Sequence, residues 1–217
     1  MMKHKLIYTI IILLLALSAC SKSDDYVYPS VLLDFMKATA DSTGAVTTLT
    51  SDKGLVYHVV ANISGVTFAK DTSQRIVTYY QIYKKATADS IGSVGVYSLL
   101  KIICSTPRIG NYVWSKDPVT VQSIWRSGDY INLALGIKMQ NGSHYMAFLQ
   151  SGDTVINNKH VITVEVSHNK NGDYEAYTKV TYLSIPLSSY ETLYPSGFTL
   201  KVLIPTSDGD AAYSFDI

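Results

Sequence analysis

The sequence predicts an all-β protein, a small barrel followed by an antiparallel (Ig-like) β-sandwich, behind a cleaved signal peptide. Three observations carry this reading. Apolar and polar residues alternate over many short runs, the period of a half-buried strand. Turn signals separate these runs, among them Asn141-Gly142 and Asn171-Gly172, which supply the positive φ a tight hairpin needs. No sustained 3.6-residue apolar pattern occurs beyond residue 19.

Taken in order, the chain opens with a basic start, Lys3-His4-Lys5, followed by an apolar run over residues 6–17. That run is too short for a transmembrane helix, which needs about 20 residues, but fits the apolar core of a secretory signal. It ends Leu17-Ser18-Ala19-Cys20. This resembles a bacterial lipobox: Leu17, Ser18 and Ala19 are the signal-peptidase recognition residues and Cys20 is the lipid attachment site. Residues 1–19 are then the lipoprotein signal peptide, and acyl chains on Cys20 hold the rest at a membrane. Each buried CH₂ contributes about 0.8 kcal/mol, so more than one chain anchors stably.

Residues 20–28 read as the lipidated Cys and its tether. Asp24 and Asp25 resemble the acidic signal that sends some Gram-negative lipoproteins to the cell surface. A plain solvated tether is the alternative. The expected location is therefore the outer membrane, facing either the cell surface or the periplasm.

Residues 29–107 are predicted to form an OB-like β-barrel domain. Five strand-like runs lie there, at 31–39, 46–51, 55–60, 76–84 and 94–104, and five short strands suit a barrel of OB type. Pro107 and Gly110 then interrupt the pattern. Residues 108–217 are predicted to form the β-sandwich domain, with about seven strands. Ile131, Leu133, Leu135, Ile137 and Met139 share one strand face, as do Ile162, Val164 and Val166, and again Phe198, Leu200, Val202 and Ile204. Residues 188–194, after Pro186, fit a single helical turn.

The ordered set Tyr28-Pro29-Ser30-Val31, Asn62-Ile63-Ser64-Gly65, Asp117-Pro118-Val119, residues 124–133 from Ile124-Trp125 to Asn132-Leu133, Glu175-Ala176-Tyr177 and Ser184-Ile185-Pro186-Leu187 resembles the NigD-like lipoproteins. The resemblance implies an N-terminal OB-like domain joined to a C-terminal β-sandwich. It also implies a lipid-anchored envelope location and, through the family's name, a bacteriocin-immunity type of role. It implies no catalytic residue.

Composition narrows the function further. The chain carries 18 Lys and Arg against 17 Asp and Glu, and two of the bases, Lys3 and Lys5, fall in the leader. That balance leaves no electrostatic footprint for nucleic acid. The two Cys give no internal disulfide if Cys20 is acylated, and Cys104 reads as a packed thiol. No nucleophile elbow, zinc-protease helix or phosphate loop occurs, so no enzyme activity and no cofactor are expected.

The remaining candidates are histidine and tyrosine. His160 and His168 lie eight residues apart on one predicted strand, about 26 Å at 3.3 Å per residue, too far to share a metal. No metal site is expected. Asp208-Gly209-Asp210 and residues 169–173 read as turns, and Trp125 reads as a sandwich-core residue beside Val119 and Val121. Tyrosine is abundant, 17 in all, and Tyr79, Tyr80 and Tyr83 lie on one strand. They form a candidate ligand-contact face if exposed together; the alternative is tyrosine serving both strand faces, ring inward and hydroxyl outward. Asp41-Ser42-Thr43, Asp89-Ser90-Ile91 and Asp153-Thr154-Val155 resemble short O-glycosylation sites.

The expected function is thus a lipid-anchored, non-enzymatic binding or interaction module, with the membrane and an unidentified protein or glycan as partners. A glycan-binding accessory lipoprotein or a bacteriocin-immunity-type protein is the alternative, and a hydrolytic enzyme ranks last.

Overall fold

The computed structural model describes residues 30–110, 112 and 114–217. The first five strands close into a barrel: β1 (Val31–Ala40), β2 (Val46–Ser51), β3 (Val56–Asn62), β4 (Ser73–Lys84) and β5 (Gly92–Lys101). Their order is β1-β2-β3-β5-β4, with β4 returning to β1. All pairings are antiparallel except β3 with β5, which is parallel. Alternation along each strand sends one face inward, so Met36, Ala38, Leu49, Ile76, Val94 and Val96 fill the barrel. The β1–β2 turn is held by Asp41, whose Oδ1 accepts from Thr43 N at 2.8 Å and Ala45 N at 3.2 Å. Gly44 stands there with φ +89°, and a Cβ on it would lie 2.6 Å from the Phe68 carbonyl oxygen. No other residue type fits that approach.

The sandwich follows. Its strands are β6 (Ile103–Cys104), β7 (Thr120–Ser127), β8 (Tyr130–Met139), β9 (Tyr145–Ile156), β10 (Lys159–Asn169), β11 (Tyr177–Pro186), β12 (Phe198–Thr206) and β13 (Gly209–Asp216). One sheet runs β13-β12-β10-β9 and the other β6-β11-β8-β7. The short helix α1 (Ser188–Leu193) bridges β11 to β12, as the turn after Pro186 predicted. Because β11 belongs to the opposite sheet, β12 returns beside β10 in parallel. The β9–β10 hairpin turns on Asn157 and Asn158, at φ 50° and 61°. Asparagine tolerates that region, which a two-residue hairpin turn requires. Between the sheets the predicted faces meet: Leu133 and Leu135 of β8, Leu183 and Ile185 of β11, Ile162 and Val164 of β10, and Leu200 and Val202 of β12 are fully buried. Each such side chain contributes about 2 kcal/mol relative to exposure.

The run predicted over 94–104 is two strands. Strand β5 ends at Lys101, and Ile103 pairs with Leu183 of β11, so Cys104 lies in a sandwich sheet and not in the barrel. The Cys104 thiol is half-buried, and that burial pushes its pKa up.

The outer face of the β11-β8-β7 sheet packs on the barrel, and it differs from expectation at Trp125. A β-bulge between Val121 and Ser123 inverts the alternation of β7. Val121 and Ile124 pack toward the sandwich core, while Trp125 pairs with Asn132 on the opposite face. Trp125 there meets Phe35 of β1 edge-on, with centroids 5.2 Å apart, and Phe35 meets Tyr182 of β11 in the same way at 5.6 Å.

At the centre of this junction lies Arg75 of β4, only 6% exposed. Its guanidinium forks onto both Asp52 carboxylate oxygens, donates to Asn132 Oδ1 at 3.1 Å and stacks 3.9 Å from the Tyr130 ring centroid. Ser184 donates to Asn132 Oδ1 at 2.6 Å. These buried polar groups satisfy one another across the junction, which fixes the barrel on the sandwich.

Candidate functional site

Leu17, Ser18, Ala19 and Cys20 lie outside the described residues. The tyrosine strand lies within them, and β4 splits its three candidates. Tyr79 and Tyr83 point outward, 48% and 55% exposed, whereas Tyr80 is 3% exposed in the barrel core. The expected three-residue contact face is therefore corrected to two. The period of two puts Tyr80 on the other side of the sheet, where its hydroxyl donates to Asp34 Oδ2 at 2.7 Å. Burial, with the Asp34 carboxylate beside it, raises the Tyr80 pKa.

The outward pair belongs to a wider face. Register places Leu33 of β1 opposite Tyr79, Val31 opposite Gln81, and Leu100 of β5 opposite Val77. Val31, Leu33 and Leu100 are 45%, 41% and 46% exposed. The Tyr83 ring lies against Gly95, where a Cβ would collide with the phenol. Between the rings, Tyr97 donates its hydroxyl to Gln81 Oε1 at 2.8 Å. The β1-β4-β5 exterior is thus an apolar and aromatic surface with few charges, the composition of a contact site.

On the inner side of β1, at the barrel mouth, a cavity of about 320 Å³ opens against the sandwich. Tyr57, Tyr80 and Trp125 line it together with Asp34, Lys53 and Ser127.

Four histidines fall in the barrel and sandwich, and the fold joins two that the sequence leaves 24 residues apart. His144 Nδ1 and His168 Nε2 are 2.8 Å apart, with rings stacked at 5.1 Å. His168 Nδ1 faces the Asp117 carbonyl oxygen at 3.0 Å, and His144 Nε2 faces Asp173 Oδ2 at 3.2 Å. A carbonyl and a carboxylate only accept, so both of those nitrogens carry hydrogen. His168 is 1% exposed, and burial holds its pKa below 6.5, which keeps it neutral with Nε2 as acceptor. His144 thus faces an acceptor at each ring nitrogen, His168 Nε2 on one side and the Asp173 carboxylate on the other. Backbone N–H groups of Gln140, Gly142 and Asn141, with His144, hold Asp173 at a pKa of about 2.

This chain of groups ties three segments together: the stretch before β7, the β8–β9 turn and the β10–β11 turn. Sequence reasoning missed it because His144 stands in the turn before β9 and His168 on β10, and only the β9–β10 pairing brings them together. Their histidine chemistry serves those turns. Beside it a cavity of about 360 Å³ is lined by Asp117, His168, Lys138, Lys170 and Glu175. Glu175 pairs with Lys170 at 2.9 Å, and Asp117 accepts from Lys170 N at 2.7 Å.

The other two histidines lie apart. His160 bonds Asp153 at 2.9 Å and stacks on Tyr194, and His58 is exposed on β3. Asp210, at the start of β13, pairs with Lys116 at 2.9 Å.

A closed barrel followed by a two-sheet sandwich defines the class. Residues 101–217 match the NigD-like C-terminal beta sandwich domain, and the chain belongs to that NigD-like family. It is similar to a NigD-like immunity protein from Bacteroides caccae at 27% identity and a TM-score of 0.70, covering 88% of this chain and 94% of that one. A Parabacteroides distasonis protein shares the fold at 19% identity and a TM-score of 0.68, over 87% of this chain and 93% of that one. A Bacteroides vulgatus protein of unknown function does so at 17% identity and a TM-score of 0.67, over 87% and 91%. No curated protein matches the chain.

Proposed function

We propose that this chain is a lipid-anchored, non-enzymatic envelope protein of the immunity type, which captures a partner protein on the outer face of its barrel. The observation that carries the reading is the exposed face of Val31, Leu33, Tyr79, Tyr83 and Leu100. Apolar and aromatic residues grouped on one sheet exterior are what a protein interface places at its centre. Likeness to the Bacteroides caccae immunity protein supports the same role. Lipidation at Cys20 would hold the barrel at the membrane where an incoming toxin must arrive. Among the described residues, the side-chain partners of His144, His160 and His168 are carboxylates or another histidine, which gives these imidazoles a use in holding turns.

Deleting the gene should sensitise the host to toxins secreted by related strains, and the wild-type gene should restore resistance. A Tyr79→Ser, Tyr83→Ser double variant should stay in the membrane fraction yet fail to restore it. Equal sensitivity of the deleted and intact strains, or full rescue by the double variant, would overturn the proposal.

A further inference from the structure

The cavity at the barrel mouth combines aromatic walls with a balanced set of hydrogen-bonding groups. Tyr57 and Tyr80 form its floor, 6% and 3% exposed and 6.5 Å apart between ring centroids. Tyr80 is locked there by its hydrogen bond to Asp34. Trp125 is the wall contributed by the sandwich, placed there by the β7 bulge. The floor is therefore rigid before any ligand arrives, which lowers the cost of binding.

The charges decide what kind of ligand fits. Asp52 also lines the cavity, but both its oxygens are taken by Arg75. Asp34 and Lys53 remain, one of each sign. A site whose charges cancel offers little net attraction to an ion. It does offer a flat aromatic wall, a carboxylate acceptor, an ammonium donor and the hydroxyl of Ser127. A ligand with one apolar face and a rim of hydroxyls matches that set, and about 320 Å³ lies at the small end of ligand sites.

We propose that the barrel-mouth cavity binds a neutral sugar unit, its apolar face against Trp125 and one hydroxyl donating to Asp34. This site meets the partner face at Leu33, which lines the cavity, while Tyr79 and Tyr83 lie outside it. Tyr80 lines the cavity from inside the barrel, whereas Tyr79 and Tyr83 carry the exterior, so substitutions at those residues separate the two sites. The hydrogen bond to Asp34 is charge-assisted and so outweighs a bond to a neutral acceptor.

The test is saturation-transfer NMR on the full chain as the cell exports it, with a panel of neutral hexoses and N-acetylhexosamines as probes and choline as the cationic control. Transfer to at least one sugar is expected at millimolar concentration, with none to choline. Asp34→Asn should weaken binding about tenfold, because the acceptor loses its charge. That variant keeps an oxygen for the Tyr80 hydroxyl, and circular-dichroism melting confirms that it folds. Trp125→Phe should also weaken binding, while Tyr174→Ser, remote and 78% exposed, should not. Three results would overturn the proposal: no transfer to any sugar of the panel, transfer to choline in their place, or sugar binding unchanged in both Asp34→Asn and Trp125→Phe.

Discussion

His144 Nδ1 and His168 Nε2 stand 2.8 Å apart and share one hydrogen, so the bond between them is lost once both nitrogens carry a proton. Burial holds the His168 pKa below its ordinary 6.5. The unfolded chain therefore takes the proton more readily than the folded one. Stability from this group is fully present above pH 6.5 and falls as pH drops from there through the lowered folded value. Asp173 acts lower on the scale, its contribution fading as pH falls from 3.8 through about 2. The wild-type melting temperature should fall by several degrees between about pH 7 and about pH 5. His168→Gln, which can donate to Asp117 and accept from His144, should flatten that slope. Equal slopes for the two proteins would refute the assignment.

Arg75 and Asp52 form a buried charged pair at the junction. Removing one partner leaves the other ionised and dry. Arg75→Ala should lower stability by roughly 3–5 kcal/mol, read from urea unfolding at neutral pH. Replacing both, Arg75→Met with Asp52→Leu, should recover most of that loss. A loss below about 1 kcal/mol for Arg75→Ala would place the pair in water and not in the junction.

Much of this architecture was legible because strand period and burial agree. Phe198, Leu200, Val202 and Ile204 alternate in the sequence and are all fully buried in β12. Trp125 was misplaced because one extra residue at a bulge inverts the faces beyond it, and composition gives no sign of the bulge. The site was harder to see. The period of two already sets Tyr80 opposite Tyr79 and Tyr83, but only the closed barrel makes the Tyr80 side the core. Asn132 could have been noticed, as a polar residue within the apolar run of β8. Its partner Arg75 comes from another strand 57 residues away, and only tertiary packing names it.

The anchor reading makes its own prediction. Cys20→Ala should block acylation and release the protein from the membrane fraction, because the acyl chains that hold it are then missing. Fractionation in high salt checks this. A variant that still sediments with membranes would contradict lipidation at Cys20.

The claim that the outer barrel face captures a partner is tested most directly by site-specific photo-crosslinking in living cells. A photoreactive phenylalanine analogue is placed at Tyr79 or Tyr83, and at His58 on β3 as the control. During exposure to toxin-producing relatives, positions 79 and 83 should yield one discrete higher-mass adduct that position 58 does not. Identical patterns at all three positions, or adducts at 58 alone, would contradict it.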